Sequence, residues 1–138
     1  MRLGIVGSRD FIRLDKVVEY LSAQSNIHCI VSGGARGVDD KAEQYGKAMP
    51  VPVVSFRPTK WGDEWAIARV TCEPGFLPHR TLLPGVYRTF GQAAYVRNGY
   101  IIEFADAIVA FWDGHSRGTE QVIQRAGVAE KLREVVRV

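Results

Sequence analysis

Cysteine is scarce in this chain: Cys29 and Cys72 are the two present among 138 residues, and neither belongs to a CxxC pair. That excludes a disulfide framework and fits a reducing compartment, so a cytoplasmic setting is expected. Histidine is just as sparse. His28, His79 and His115 stand far apart without the spacing of metal ligands, and no metal site is expected. No apolar run approaches the roughly 18 residues that a membrane-crossing helix needs, so no membrane partner is expected. The stretch Met1 to Gly7, followed by Arg9 and Asp10, lacks the pattern of a signal peptide. Internal repeats and low-complexity segments are absent as well. So are two familiar phosphate-binding patterns: no Lys-Ser or Lys-Thr follows the glycines as a Walker loop requires, and Gly33, Gly34 and Gly37 are misplaced for GxGxxG.

What is present is an ordinary globular composition. The length predicts one domain, residues 1 to 138, large enough to bury a core without staples. The formal net charge is only +3, too mild to demand nucleic acid. Thirteen of the eighteen basic residues are arginines, however, which suits discrete phosphate or carboxylate contacts better than a diffuse basic surface.

Three glycine-containing loops organise the chain. His28 to Val31 is a short β-branched run that predicts a buried strand, and Ser32-Gly33-Gly34 turns out of it. From Val38 the period becomes helical, with Asp39 and Asp40 in the first turn. Strand, glycine loop and helix together present free N–H groups and a positive helix end to an anion, and Arg36 within the loop offers a bidentate fork. Leu3 to Val6 is a second predicted strand, ending in Gly7-Ser8-Arg9-Asp10; in a parallel sheet both loops would emerge at the same carboxyl edge, where such sheets bind ligands. Ser8 and Arg9 are then either ligand contacts or a plain polar turn. Ala107 to Trp112 is the most hydrophobic run and predicts a central strand. It leads into Asp113-Gly114-His115-Ser116-Arg117-Gly118-Thr119 and a helix from Thr119 or Glu120 through Ala126, with Gly127 as its cap.

Between these landmarks, Leu14 to Ser25 and Gln92 to Phe104 read as helices, Val51 to Phe56 as a third strand, and Leu132 to Val138 as a helical turn or an edge strand. Residues 59 to 93 show no sustained period. An irregular insertion is expected at about 62 to 90, containing at most a short helix over Glu64 to Val70, with Trp61 and Trp65 anchoring it to the core. The alternation of elements predicts an α/β fold with a mostly parallel central sheet.

With the loops in view, VSGGARGVDDKAEQYG, Trp61, the Arg97-Asn98 pair, ADAIVAFWDGHSRGT and GSRDF at 7 to 11 resemble the SLOG superfamily, and within it the YspA and YpsA-related proteins of bacteria and phages. The resemblance spans nearly the whole chain in order, apart from the middle insertion. It implies a Rossmann-like three-layer α/β/α domain that binds a nucleotide or nucleotide-derived ligand. The implied site comprises Gly7, Ser8, Arg9, Gly33, Gly34, Arg36, Gly37, Asp39, Arg97, Asn98, Gly114, Ser116, Gly118 and Thr119. No cofactor is required beyond such a ligand, and relatives in the superfamily commonly form homodimers.

Two further branches resemble the chain more distantly. The "lonely guy" phosphoribohydrolases carry an Arg that Arg97 matches and a PGGxGTxxE loop, which here reads DGHSRGTEQV. Val122 stands where the catalytic Glu is expected. Because cleavage of a glycosidic bond wants a carboxylate beside the cationic carbon, this departure weighs against hydrolysis. Glu120, Asp113 and Arg97 remain as candidate catalytic groups. The DprA-type proteins share an SGxARGxD loop and a later Arg-Asn, and bind single-stranded DNA; on that reading the tryptophans and Arg69, Arg80 and Arg88 of the insertion supply stacking and phosphate contacts, but the modest charge and short chain rank nucleic acid behind a small nucleotide ligand. Asp39 is expected either at the helix start or in chemistry, and Asn98 either at a base or ribose edge or as a helix cap.

Overall fold

The computed structural model describes residues 1 to 137. Seven strands and four helices alternate as β1 (Arg2–Gly7), α1 (Asp15–Ser22), β2 (Cys29–Ser32), α2 (Val38–Ala48), β3 (Val53–Trp61), β4 (Glu64–Cys72), β5 (His79–Leu82), α3 (Phe90–Phe104), β6 (Ala107–Trp112), α4 (Arg117–Val128) and β7 (Leu132–Arg137). The strands form one sheet in the order β5-β4-β3-β2-β1-β6-β7. Strands β3, β2, β1, β6 and β7 run parallel, while β4 and β5 join antiparallel at one edge. The fold is therefore α/β with a mostly parallel sheet.

The apolar runs form strands because both of their faces are covered, and the period of two sorts their side chains. Leu3, Ile5, Ile30, Val53, Val109 and Phe111 enter one core cluster, shared with Val17 and Leu21 of α1 and Val38 and Ala42 of α2. Val6, Val31, Val54, Phe56, Ile108 and Ala110 enter a second, shared with Ile101 and Ile102 of α3 and Val122 and Ala126 of α4. Phe111 is fully buried and meets Phe11 and Tyr20 edge to face, with ring centroids 5.8 and 6.2 Å away.

The segment expected to be an irregular insertion is instead regular. Glu64 to Val70, expected to hold at most a short helix, lies in strand β4, and β3 runs on past Phe56 to Trp61. The two strands pair along their length through a two-residue Gly62-Asp63 turn, with Gly62 at φ 63°. Pro58 is tolerated because β2 pairs with β3 only over Val53 to Ser55, so beyond it that side of β3 needs no donor. Arg80 of β5 pairs with Val70, and Tyr87 closes an isolated bridge to Trp65. Trp65 is partly covered, by Phe90 at 5.2 Å between centroids, but Trp61 is 56% exposed and anchors nothing in the core. The helix starting at Arg117 runs to Val128, beyond the cap expected at Gly127, with Ala129 in the cap position. The last element is a strand over Leu132 to Arg137 rather than a helical turn; Val138, which was included in that expectation, lies outside the described residues.

Chain order matters for the site. From β1 the chain steps outward to β2 and β3, then returns to the other side of β1 with β6. The connections leaving the carboxyl ends of β1 and β6 therefore diverge, opening a crevice where ligands of open α/β sheets bind.

Truncating Phe111 to alanine should remove the centre of one cluster and lower unfolding free energy by about 3 to 5 kcal/mol. Urea unfolding of Phe111→Ala would check this, and a loss below about 1 kcal/mol would show that the site collapses around the gap.

Candidate functional site

The crevice is a cleft of about 450 Å³, lined by residues from the ends of β1 and β6, the β2–α2 loop, and helices α2, α3 and α4. Its construction begins at Gly33. The Gly33 N–H donates to Asp39 Oδ2 at 3.1 Å, and its carbonyl accepts from Arg97 Nη1 at 2.5 Å. A Cβ at this position would come 2.5 Å from Arg97 Nη1, so close approach, rather than a turn, requires glycine here. Asp39 Oδ2 also accepts the Ala35 N–H at 3.2 Å. Gly37 precedes α2 at φ 79°, and no side chain caps the helix. Asp39, in the first turn, folds back over the loop instead.

Arg97 is buried on α3. Its Nε donates to Asn98 Oδ1 at 2.8 Å, and Nη1 reaches the carbonyls of Gly33 and, at 3.4 Å, Phe56. Nη2 has no protein partner among the described residues. Asn98 lies inside α3, so it orients Arg97 and does not cap a helix.

Asp39 is 5% exposed, lines the cleft, and leaves Oδ1 without a hydrogen bond, the one buried side-chain polar atom so left among the described residues. Burial pushes its carboxyl up to about 6, against the opposing pull of Arg97 and of the Ala35 and Gly33 N–H groups. Burial likewise lowers the Arg97 guanidinium, which Asp39 supports and Arg9 and Arg57 oppose. A buried acceptor left without a donor is costly, which marks Asp39 Oδ1 as an atom able to take a hydrogen bond from outside the protein.

The opposite wall is the start of α4. Ser116 caps the helix by accepting the Thr119 N–H, and Asp113 Oδ1 accepts the His115 and Ser116 N–H groups, each at 2.8 Å. These bonds hold the Asp113 carboxyl below its usual range, so it orders the loop as an anion rather than holding a proton. The hydroxyls of Ser8, Thr119 and Ser116 line up behind it, with Ser8 Oγ 3.5 Å and Ser116 Oγ 3.2 Å from Thr119 Oγ1; Ser8 Oγ also accepts the Asp113 N–H. The first-turn N–H groups of α4 have no acceptor within the helix. At Gly118 nothing lies within 4 Å of an added Cβ, so that turn is open.

Of the residues singled out in the sequence, Gly7, Arg9, Asp39, Arg97, Asn98, Ser116, Gly118, Thr119 and Asp113 line this cleft. Ser8 is buried just behind it. Gly33, Gly34 and Arg36 line an adjoining recess instead, and Gly37 and Gly114 shape their loops without lining either cavity. Glu120 is exposed and outside the lining, whereas Val122 is buried and inside it. Sequence reasoning missed Phe90, Ile101 and Arg57, and named Arg80 only with Arg69 and Arg88 as a phosphate contact for a DNA strand; of these three, Arg80 lines the recess. The spacing of Ser55 and Arg57, two apart on one strand face, could have pointed to Arg57; nothing local marks Phe90. Among the described residues no group of three His, Cys, Asp or Glu side chains is placed to hold a metal ion.

No protein-family model and no curated protein matches the chain. The site is therefore read from its own chemistry. An orphaned buried carboxylate oxygen, a guanidinium with a free edge and an open helix N-terminus face one crevice, which can take a molecule that donates a hydrogen bond at one end and carries an anion at the other.

Asp39 makes stability pH-dependent. Its folded pKa of about 6 exceeds the unfolded value of 3.8, so the folded state binds the extra proton between these limits. The associated stability is present below about pH 4 and lost as pH rises through 6, a change of about 3 kcal/mol. Urea unfolding at pH 4 and pH 7 should show this loss in the unliganded wild type relative to Asp39→Asn; parallel stability curves would mean that Asp39 titrates normally.

Proposed function

We propose that the chain is a Rossmann-like three-layer α/β/α domain of the SLOG superfamily, related to the YspA and YpsA proteins, which binds a nucleotide or nucleotide-derived phosphate ligand. It acts as a sensor, a sequestering protein or an enzyme of unassigned reaction. The observation that carries the reading is the unpartnered Asp39 Oδ1 in the same cleft as the open first turn of α4. A ribose hydroxyl supplies the donor that Asp39 lacks, and a phosphate supplies the acceptor that the Arg117 and Gly118 N–H groups of the first turn lack. Phe90, Ile101 and Val122 give the cleft an apolar wall on which a base can rest. The two core clusters on alternate strand residues support the layered architecture.

Adenosine 5′-monophosphate at one hundred times its Kd should stabilise the protein by about 2.7 kcal/mol, raising Tm by several degrees, and adenosine should do much less. Thermal melting with both compounds tests this. Equal shifts would remove the phosphate from the reading, and Asp39→Asn should reduce the response to the nucleotide.

Hydrolysis of the nucleotide is not expected. Val122 occupies the cleft wall where the phosphoribohydrolase resemblance would place a carboxylate, and Glu120 is exposed and outside the lining. Absence of a charge-stabilising group at a reacting centre commonly costs about two to three orders of magnitude in rate. Chromatography should find adenine release from adenosine 5′-monophosphate near background; robust release abolished in Asp39→Asn would assign that carboxylate a catalytic role instead.

A further inference from the structure

Beside the cleft lies a recess of about 460 Å³ between the β2–α2 loop and the antiparallel strands. The two cavities share Arg9, Ala35, Phe90 and Arg97, so they adjoin. Five arginines line the recess, Arg9, Arg36, Arg57, Arg80 and Arg97, and no carboxylate does. Glu43 offsets Arg57 through an ion pair, and Asp39 sits by Arg97. Arg9, Arg36 and Arg80 have no carboxylate ion-pair partner among the described residues.

Several of these side chains are held in place before any ligand arrives. Arg57 donates to Ser55 Oγ at 3.0 Å and to the Gly34 carbonyl at 3.3 Å, besides pairing with Glu43; Glu43 in turn accepts the buried Ser32 hydroxyl. Arg80 donates to Thr59 Oγ1 at 2.9 Å, and the Arg9 guanidinium lies 5.8 Å from the Phe90 ring centroid. Like charges gathered around one concavity repel each other in the empty protein, and an anion with several oxygens relieves that repulsion while taking guanidinium forks.

We infer that this recess is a second anion subsite, and that the ligand carries a second phosphate beyond the one at α4. The inference rests on the nucleotide reading for the cleft but not for the recess itself. A small ligand is favoured over a nucleic acid strand because the recess shares four lining residues with a cleft of matching size and the formal net charge of the chain is only +3.

Calorimetric titration can test this with adenosine 5′-monophosphate, adenosine 5′-diphosphate, adenosine 3′,5′-bisphosphate and inorganic tripolyphosphate. At least one of the doubly phosphorylated nucleosides should bind tenfold or more tightly than the monophosphate. In Arg80→Ala, whose site is an exposed strand position, that advantage should fall to within about twofold while the monophosphate affinity stays unchanged. Arg36→Ala should act in the same direction. No advantage in the wild type, or an advantage that survives both substitutions, overturns the inference and leaves the nucleotide reading standing. Tripolyphosphate binding that depends on Arg80, without any binding of the monophosphate, supports the subsite and removes the nucleotide reading. Silence with all four probes overturns both. Sub-micromolar binding of oligothymidylate at physiological salt, lost in Arg80→Ala, would assign the recess to single-stranded nucleic acid and overturn the small-ligand proposal.

Discussion

One glycine residue is gripped from two sides. Asp39 of α2 takes the N–H of Gly33 and Arg97 of α3 takes its carbonyl, so helices belonging to different core clusters meet at the carboxyl end of β2. Neither charged side chain would be stable in that position alone. Burial disfavours the ionised form of each, and each supports the other's charge. The pair therefore specifies geometry more than it adds stability. Its effect is to hold the glycine loop flat against the sheet edge, with one carboxylate oxygen and one guanidinium nitrogen left over.

That surplus connects folding to ligand chemistry. A core polar network that satisfied itself completely would be structural. Here the network closes around Oδ2, Nε and Nη1, and the unmatched atoms belong to residues that line the cleft. The opposite wall uses the same logic with neutral groups and a half-buried anion: Asp113 and Ser116 occupy the loop and N-cap bonds, which leaves the Arg117 and Gly118 N–H groups of α4 without an acceptor in the helix. The antiparallel strands add a basic flank. They extend the sheet past β3 and bring Arg57 and Arg80 beside the loop from which Arg36 projects.

Most of the parallel part of the fold was legible because its strands are buried on both faces and its helices start at polar or glycine turns. Leu3 to Val6 and Ala107 to Trp112 fall in strands, the run from His28 does so from Cys29 onward, and the 92 to 104 helix needed only two more residues at its start, where Thr89 caps it. The β3–β4 hairpin was not read, although Gly62-Asp63 is a hairpin turn and Ala66, Ala68 and Val70 alternate. Pro58 and the four-residue spacing of Trp61 and Trp65 masked it. The hairpin end of β3 and β4 is partly exposed, so its pattern mixes charged, aromatic and apolar residues and loses the clean period of a buried run.

The residues alone determined which loops carry chemistry: glycines and polar groups follow each of three apolar strands, and that arrangement exposes N–H groups wherever the strands end. They did not determine which members face one another. Asp39 has the same local pattern as Asp40, yet one is buried with an orphaned oxygen and the other is exposed. Glu120 and Val122 lie two apart on α4, and only packing of Val122 against the sheet excludes the carboxylate from the cleft. Arg80 is 44 residues from Arg36 in number but shares a recess with it, because strand pairing carries β5 back beside the β2–α2 loop. Local sequence sets backbone conformation through short-range sterics and hydrogen bonding, whereas pairing of distant charges depends on sheet order, and sheet order is decided by the burial of the whole core.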